Sequence, residues 1–253
     1  MREEVLFFFG ENESVQTIFL TKNDSVASAF EIPKGVTALV GGGGKTTLML
    51  RLARELSLLG ARVIVTTTTH IFSPEGIETS NPATLEEAKS ALARERLVCF
   101  GQPAEDGKLS APEISISEME SIADYVLVEA DGAKRLPLKA PAEHEPVIPK
   151  ETRLVIAVAG LDGAGKAIHE TVFRSARYAA LCGKAVEDIV TPREIALVLA
   201  HEEGQRKGVP PGARFAVLLN KADDVTKQVI AQRIAIELNQ YNVERVVIAA
   251  LNE

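Results

Sequence analysis

Apolar and polar residues alternate along the chain in two patterns, and these predict its secondary structure. Short runs rich in Val, Ile and Leu alternate with longer stretches that have helical periodicity. Most of the short runs are too continuously apolar to leave one face in water, which indicates parallel strands covered by helices on both faces of a sheet. Strands are predicted at residues 36–40, 62–66, 97–100, 125–129, 154–159, 215–219 and 246–250.

The longer stretches predict helices, and several of their ends carry recognisable signals. Gly60 is suited to the left-handed cap that closes the first helix. Thr191 and Pro192 have the N-cap and first-position roles of a helix that runs to about His201. Helices are predicted at residues 45–59, 84–94, 171–181, 192–201 and 225–239.

The opening residues and two loops complete this outline. Residues 5–9 and 16–20 are expected to add a small antiparallel edge to the sheet, within residues 1–34. Residues 133–150 and 203–212 form proline-rich loops. A chain of 253 residues suits one large α/β domain or two small ones, and we favour a single domain over residues 1–253.

Composition narrows the classes of function. The net charge of -7 argues against nucleic acid as the main partner. Cys99 and Cys182 are isolated in apolar contexts, so we interpret them as buried thiols in a reducing compartment. The N-terminus does not have the pattern of a secretory signal, and no apolar run approaches the ~20 residues of a membrane helix. We therefore expect a cytoplasmic protein with no membrane partner.

A glycine cluster, VGGGGKTT, follows the first predicted strand and opens the first predicted helix. Such a turn binds phosphate, because its backbone N–H groups converge and the helix N-terminus is positive. Lys45 would reach the β- and γ-phosphates, and the Thr46 hydroxyl would bind Mg²⁺. A turn without a ligand is the alternative, but it does not explain the Lys-Thr-Thr. The residues predicted to bind phosphate are Gly41, Gly42, Gly43, Gly44, Lys45, Thr46 and Thr47.

This cluster fails the generic pattern G-x-x-x-x-G-K-[ST], because Leu39 stands in place of the first glycine. It resembles the shorter form, with consecutive glycines, found in a branch of P-loop NTPases. That branch includes the nitrogenase iron protein, the Min-type ATPases and metallochaperone GTPases of the hydrogenase and urease systems. Its ATPases carry a signature lysine where this chain has Val40. The resemblance implies a P-loop NTPase fold, closer to the metallochaperone GTPases.

A second cluster, GLDGAGKA at residues 160–167, satisfies the generic pattern up to its last position. Ala167 has no hydroxyl for Mg²⁺, Asp162 places a negative charge near the turn, and no clear helix starts at Lys166. We interpret this cluster as a loop after a central strand. It can still lie beside the active site, where the carboxyl ends of strands meet.

Acidic residues follow one apolar run, in the sequence VLVEADGAKR. An NTPase holds Mg²⁺ partly through an acid at such a strand end, directly or through water. We predict this role for Glu129, Asp131 or both, and the sequence does not choose between them. The alternative is a solvated strand end with a turn at Asp131. The predicted catalytic residues are Lys45, Glu129 and Asp131, and the predicted metal ligands are Thr46, Glu129 and Asp131.

The sequence NKAD follows another apolar run and resembles the guanine-reading N-K-x-D motif of GTPases. Its aspartate accepts hydrogen bonds from guanine, and adenine lacks the matching donors. The motif includes Asn220, Lys221 and Asp223, which we predict to contact the base. GTP is therefore favoured over ATP as the nucleotide.

Two further stretches leave alternatives open. Residues 66–69 are four threonines before His70, and they form either a polar strand end or a group that binds Mg²⁺, orders water or senses the γ-phosphate. Residues 134–145 carry six charged or histidine side chains between stiffening prolines. This loop is either a solvated connection or a site for an anionic ligand or partner protein.

Five motifs occur along the chain in this order: VGGGGKTT, VTTTTH, EADGAKRLPLKAPAEHEPVIP, GLDGAGK and NKAD. With these motifs, nearly the whole chain is similar to the YqeC family. Members of that family are described as accessory proteins of selenium-dependent molybdenum hydroxylases. The resemblance implies a role in maturing such an enzyme or its cofactor.

We therefore expect a Mg²⁺-dependent GTPase or ATPase that assists maturation of a molybdenum hydroxylase. One alternative is a small-molecule phosphotransferase or nucleotidyltransferase that acts on a cofactor precursor held by residues 134–145. Another is a nucleotide-gated docking module that does not hydrolyse its nucleotide. No residue that would position the attacking water is identified from the sequence.

Overall fold

A computed structural model describes residues 15–241 and 243–251, and the strand predicted at residues 5–9 lies outside them. All seven strands predicted for the sheet are confirmed, with ends within two residues of the expected positions. The strands, numbered along the described chain, are β1 (Gln16–Phe19), β2 (Gly35–Gly41), β3 (Val63–Thr67), β4 (His70–Phe72), β5 (Glu78–Ser80), β6 (Leu97–Phe100), β7 (Gln102–Pro103), β8 (Lys108–Ser110), β9 (Tyr125–Glu129), β10 (Leu138–Lys139), β11 (Thr152–Gly160), β12 (Val172–Phe173), β13 (Arg214–Asn220) and β14 (Arg245–Ala249).

The central sheet has nine strands in the order β1-β14-β13-β11-β2-β9-β3-β6-β5, and all neighbouring pairs are parallel. Strand β2 lies between β9 and β11, so the loops that follow these three strands meet at one edge. Strands β4, β7 and β8 form a small antiparallel sheet, and β10 pairs in parallel with β12.

Helices cover both faces of the central sheet, as predicted. Alternate residues of β2 face opposite ways: Leu39 packs in the cluster that contains α2, whereas Ala38 and Val40 pack in the cluster that contains α7 and α8. The helices are α1 (Val26–Phe30), α2 (Lys45–Leu58), α3 (Leu85–Arg94), α4 (Ile116–Ile122), α5 (Ile168–Thr171), α6 (Ser175–Cys182), α7 (Pro192–Ala200) and α8 (Val225–Leu238).

Helix ends follow the predicted signals. Thr191 forms a capping box with Glu194, and Pro192 is the first residue of α7. Gly60 follows the C-cap of α2 with a φ of 87°, and its N–H donates to the Ser57 carbonyl. The predicted helices at residues 45–59, 84–94, 192–201 and 225–239 are therefore confirmed.

Two predictions are wrong. Strand β1 pairs in parallel with β14, so the expected antiparallel edge is not formed by residues 16–19. The helix predicted at residues 171–181 begins only at Ser175, because Val172–Phe173 pairs with β10 and Arg174 has a left-handed φ of 61°. Helices α1, α4 and α5 were not predicted. In the parts of the chain that the structure describes, no helix has the length and apolar character needed to cross a membrane.

Candidate functional site

The first glycine cluster forms a tight turn between β2 and α2, which we call the glycine turn (residues 41–44). Gly41 and Gly43 have φ values of 97° and 77°, in the left-handed region. A Cβ atom on Gly41 would lie 2.3 Å from the Val158 carbonyl oxygen, and one on Gly43 would lie 2.3 Å from the Gly160 nitrogen. Backbone conformation and close packing therefore both require glycine at these two positions.

Some N–H groups of the glycine turn already have partners. Gly42 N–H donates to the Val158 carbonyl at 2.9 Å, and Gly43 N–H donates to the Leu136 carbonyl at 3.1 Å. Gly44 is the N-cap of the 14-residue helix α2 and supplies no side-chain cap. The positive end of α2 therefore lies at the turn, without a side chain to cap its first N–H groups.

Lys45 is buried at the start of α2, with 4% of its side chain exposed. Its Nζ donates to the Gly41 carbonyl at 2.6 Å and lies 3.2 Å from Asp131 Oδ1 and 3.7 Å from Glu129 Oε1. Burial alone would lower the pKa of Lys45, but the carboxylates of Asp131 and Glu129 outweigh it and raise this pKa. Lys45 is therefore a buried cation with two carboxylate partners.

Glu129 ends β9, the strand beside β2, and faces the first turn of α2. Its Oε2 accepts a hydrogen bond of 2.8 Å from the Thr46 hydroxyl. Burial raises the pKa of Glu129, although Lys45 and the Thr46 hydroxyl act in the opposite direction. A hydroxyl and a carboxylate, both hard oxygen ligands suited to Mg²⁺, thus converge at one point.

Asp131 is completely buried on the other side of Lys45. Its Oδ2 accepts a hydrogen bond of 3.1 Å from Gly41 N–H and lies 2.8 Å from Lys139 Nζ. Its Oδ1 has the ion pair with Lys45 and no hydrogen bond. Asp131 therefore joins the glycine turn and Lys45 to a second buried lysine.

The second lysine comes from the proline-rich loop at residues 133–150, which is called the proline-rich loop from here on. Lys139 Nζ donates to the Gly132 carbonyl and to Glu145 Oε2, both at 2.6 Å. Arg174 holds both oxygens of Glu145, at 2.7 and 2.9 Å. Burial would raise the pKa of Glu145, but hydrogen bonds from Arg174 and Lys139 lower it. Charged side chains of alternating sign therefore run from Arg174 to Glu129.

The outer part of the proline-rich loop is basic and exposed. Lys134 and Arg135 are consecutive residues with left-handed φ values of 47° and 62°. Lys134 Nζ lies 5.4 Å from the centre of the Phe173 ring, and Arg135 stacks at 5.3 Å on Phe72. The same loop thus packs on the glycine turn at Leu136 and presents two cations to solvent.

The three residues predicted to contact the base are dispersed. Asn220 lies at the glycine turn, where its Nδ2 donates to the Gly43 carbonyl at 2.9 Å. Lys221 forms an ion pair of 2.8 Å with Asp162, in the second glycine cluster. Asp223 is exposed and pairs with Lys227 at the start of α8. Of these three contacts, only that of Asn220 involves the glycine turn.

The second glycine cluster forms a loop, as predicted. Residues Leu161–Gly163 form a 3-10 turn after β11, and the next helix, α5, has four residues and begins at Ile168. Lys166 is exposed. Gly160 N–H donates to the Pro137 carbonyl, and Gly160 lies against Gly43. This loop therefore packs against the glycine turn but does not lead into a long helix.

The threonines at and just after the end of β3 have backbone partners. The hydroxyls of Thr66, Thr67 and Thr68 donate to the carbonyls of residues 100, 129 and 147. These bonds connect the strand end to β9 and to the proline-rich loop. Cys99 is buried, Cys182 is partly buried, and burial raises the pKa of both thiols to about 12.

Three residues of this site are not among the predicted site residues. Lys139 and Glu145 were counted only among the charges of the proline-rich loop, and Arg174 fell within a wrongly predicted helix. Their charges are a sequence signal, but it does not indicate which residues pair. Within the described ranges, no group of three or more His, Cys, Asp or Glu side chains is arranged to hold a metal ion.

Comparison with known proteins identifies the family. A family model described as YqeC protein matches residues 37–176. The chain is also 34% identical over 227 residues to a protein of Escherichia coli (strain K12) named "Uncharacterized protein YqeC". That alignment covers 86% of this chain and 88% of the Escherichia coli protein. This protein belongs to the YqeC family.

Proposed function

We propose that this protein is a P-loop NTPase that binds a Mg²⁺-nucleoside triphosphate at the glycine turn. One observation carries the proposal: a buried lysine with two acidic partners begins a long helix that follows a turn in which glycine is required. A buried ammonium at an uncapped helix N-terminus is suited to bind an anion. A purely structural turn would not need Lys45 in this position.

The residues beside Lys45 fit a magnesium ion. The Thr46 hydroxyl and Glu129 carboxylate lie 2.8 Å apart and would supply oxygen ligands. Held by these two side chains, a magnesium ion would supply positive charge that offsets the charge of the phosphates. Lys45 would exchange its bond to the Gly41 carbonyl for phosphate oxygens, and there it would stabilise charge on the transferring group.

For the base we propose a preference for GTP over ATP. Asn220 donates to the carbonyl of Gly43, so the first residue of the NKAD segment lies at the glycine turn. The Asp223 carboxylate is exposed, and a base would compete for it with Lys227. Guanine offers donors to such a carboxylate, whereas adenine does not.

The client is proposed from the family resemblance. We propose that nucleotide binding and hydrolysis assist maturation of a selenium-dependent molybdenum hydroxylase. A purified apo-hydroxylase that is supplied with its cofactor should gain more activity when this protein and GTP are added. The Lys45→Met variant should give no increase, and an equal increase with that variant would contradict the proposal.

Nucleotide binding is tested by titrating the purified protein with fluorescent GTP and ATP analogues in the presence of Mg²⁺. Lys45→Met should weaken binding at least about 100-fold, because a desolvated charge contact is lost. Lys166→Met is the matched control: it removes the exposed lysine of the second glycine cluster and should leave affinity unchanged. Absence of GTP and ATP binding by the wild-type protein would overturn the proposal.

The base preference has a separate test. Asp223→Ala should reduce the ratio of GTP affinity to ATP affinity at least about tenfold, because unpaired guanine donors cost free energy. Asp224→Ala is the control, since Asp224 caps α8 and lies one residue further on. If the guanine preference persisted in Asp223→Ala, the proposed reading of this segment would be wrong.

A further inference from the structure

The two acids beside Lys45 have different surroundings. Both oxygens of Asp131 face cations: Oδ1 lies 3.2 Å from Lys45, and Oδ2 lies 2.8 Å from Lys139. Asp131 Oδ2 also accepts the N–H of Gly41, and the residue is completely buried. Asp131 is thus committed to contacts within the protein.

Glu129 faces the Thr46 hydroxyl, which is the other proposed magnesium ligand. Its Oε2 accepts the Thr46 hydroxyl, and its Oε1 is 3.7 Å from Lys45, a longer contact than that of Asp131. Glu129 therefore has weaker ties to the buried cations than Asp131 does. Only one of the two acids has the surroundings of a metal ligand.

Lys139 is fully buried, and its ammonium has three oxygen partners. These are Asp131 Oδ2, Glu145 Oε2 and the Gly132 carbonyl, which together match the three donors of an ammonium group. Glu145 is in turn held on both oxygens by Arg174. These contacts therefore hold the Lys139 ammonium group in one position, next to the Asp131 carboxylate.

The charges in this set balance. Lys45, Lys139 and Arg174 are the cations, and Glu129, Asp131 and Glu145 are the carboxylates. Without Lys139, Asp131 would have Lys45 as its remaining cation and would hold it more tightly. The set would also become net negative, which opposes the approach of phosphate.

We infer that Lys139 is a positioning residue for the nucleotide. Through Asp131 it sets the position of Lys45 and of Gly41, and it leaves Glu129 as the acid that serves the metal. This inference rests on the proposed nucleotide binding. It assigns Asp131 and Glu129 to different tasks, which the sequence left undivided.

The test measures two quantities for each variant of the full-length protein: the dissociation constant of a fluorescent GTP analogue at saturating Mg²⁺, and the Mg²⁺ concentration that gives half-maximal binding. Lys139→Met should weaken nucleotide binding at least about tenfold and leave the Mg²⁺ requirement unchanged, because Asp131 loses its second cation. Glu129→Gln should raise the Mg²⁺ requirement at least about tenfold, because a charged ligand is lost.

Lys207→Met is the matched control for Lys139→Met. Lys207 Nζ donates to the carbonyls of Ala142 and Glu143, so it also ties the proline-rich loop, but these contacts do not include Asp131. We expect its nucleotide affinity to equal that of the wild-type protein. Equal losses for Lys207→Met and Lys139→Met would overturn the inference, since tethering of the loop would then explain both.

Asp131→Asn keeps the test decisive if Lys139→Met does not fold. This variant should leave the Mg²⁺ requirement unchanged, and a rise equal to that of Glu129→Gln would overturn the division of tasks. The outcomes also separate the two proposals. If the wild-type protein binds no nucleotide, the proposed function fails; if it binds and Lys139→Met binds equally well, only the inference fails.

Discussion

The two glycine-rich clusters follow neighbouring strands of the same sheet, and their chemical surroundings differ. Val158 in β11 is paired with Gly41 in β2, so the two clusters begin side by side. The glycine turn leads into a 14-residue helix with a buried lysine. Residues 160–167 lead into a 3-10 turn and a four-residue helix, and Lys166 is exposed.

The charges near the two clusters differ in the same sense. Lys45 lies between buried carboxylates, whereas Asp162 and Lys221 form a pair in which each side chain is about one third exposed. The spacing of glycines and lysine along the chain is therefore a weaker guide to the chemistry of a cluster than the surroundings of its lysine are.

The largest difference should appear in stability when each lysine is replaced. Lys45→Met leaves Asp131 and Glu129 without their shared cation, and we expect a loss of about 3–5 kcal/mol in the free energy of unfolding. Lys166→Met should change it by less than about 0.5 kcal/mol, since that side chain is exposed. Urea denaturation followed by circular dichroism measures both. Equal effects would show that the two lysines have equivalent surroundings.

Alanine replacements compare the backbones of the clusters. Gly43 and Gly165 have nearly the same φ, 77° and 79°, but a Cβ meets backbone only at Gly43. Gly43→Ala should cost about 3 kcal/mol, from strain and overpacking together. Gly165→Ala should cost only the strain, about 1 kcal/mol. Thermal unfolding measures both losses. A loss for Gly43→Ala no larger than that for Gly165→Ala would contradict the close packing of the two clusters.

The acid beside the glycine turn should make stability depend on pH. Burial holds the pKa of Glu129 above its ordinary value of 4.5, so the folded protein binds more protons than the unfolded chain above that pH. The contribution of Glu129 to the free energy of unfolding is therefore fully present below its ordinary pKa of 4.5. It is lost as the pH rises through the pKa that Glu129 has in the folded protein. The stability difference between wild type and Glu129→Gln should decline over this window, in urea titrations from acid to neutral pH. Asp162→Asn, which changes an acid within the second cluster, is the control.

The smallest expected effect concerns the ion pair of the second cluster. Lys221→Met removes the contact with Asp162, in which the side chains are 38% and 34% exposed. Solvent screens such a pair, so we expect a loss of about 0.5 kcal/mol or less. The measurement is the urea midpoint at low and high salt. A loss comparable to that of Lys45→Met would remove the distinction drawn between the two clusters.

Much of the sheet could be predicted because strands buried on both faces have continuous apolar runs. The direction of β1 could not, since pairing at a sheet edge depends on residues more than 200 positions away. Val172–Phe173 is a strand because Leu138–Lys139 lies beside it, which local periodicity does not reveal. Helix α4 did carry a usable signal, the capping box formed by Ser115 and Glu118.

The candidate site was predictable in part for a similar reason. The glycine turn, Lys45, Thr46 and the two acids belong to short motifs with a local chemical logic. The pairing of Asp131 with Lys139, and of Glu145 with Arg174, depends on how distant loops fold together. The exposed position of Asp223, two residues before α8, likewise could not be deduced from its distance along the chain from Asn220.

The hydrogen bond from Gly43 N–H to the Leu136 carbonyl has a kinetic consequence for the proposed nucleotide binding. A phosphate oxygen that uses this N–H must wait until the backbone bond has opened. A bond with a net value of about 1 kcal/mol would lower the apparent affinity roughly fivefold. At high nucleotide concentration the observed binding rate would then reach a ceiling, set by how often residues 136–137 leave the glycine turn.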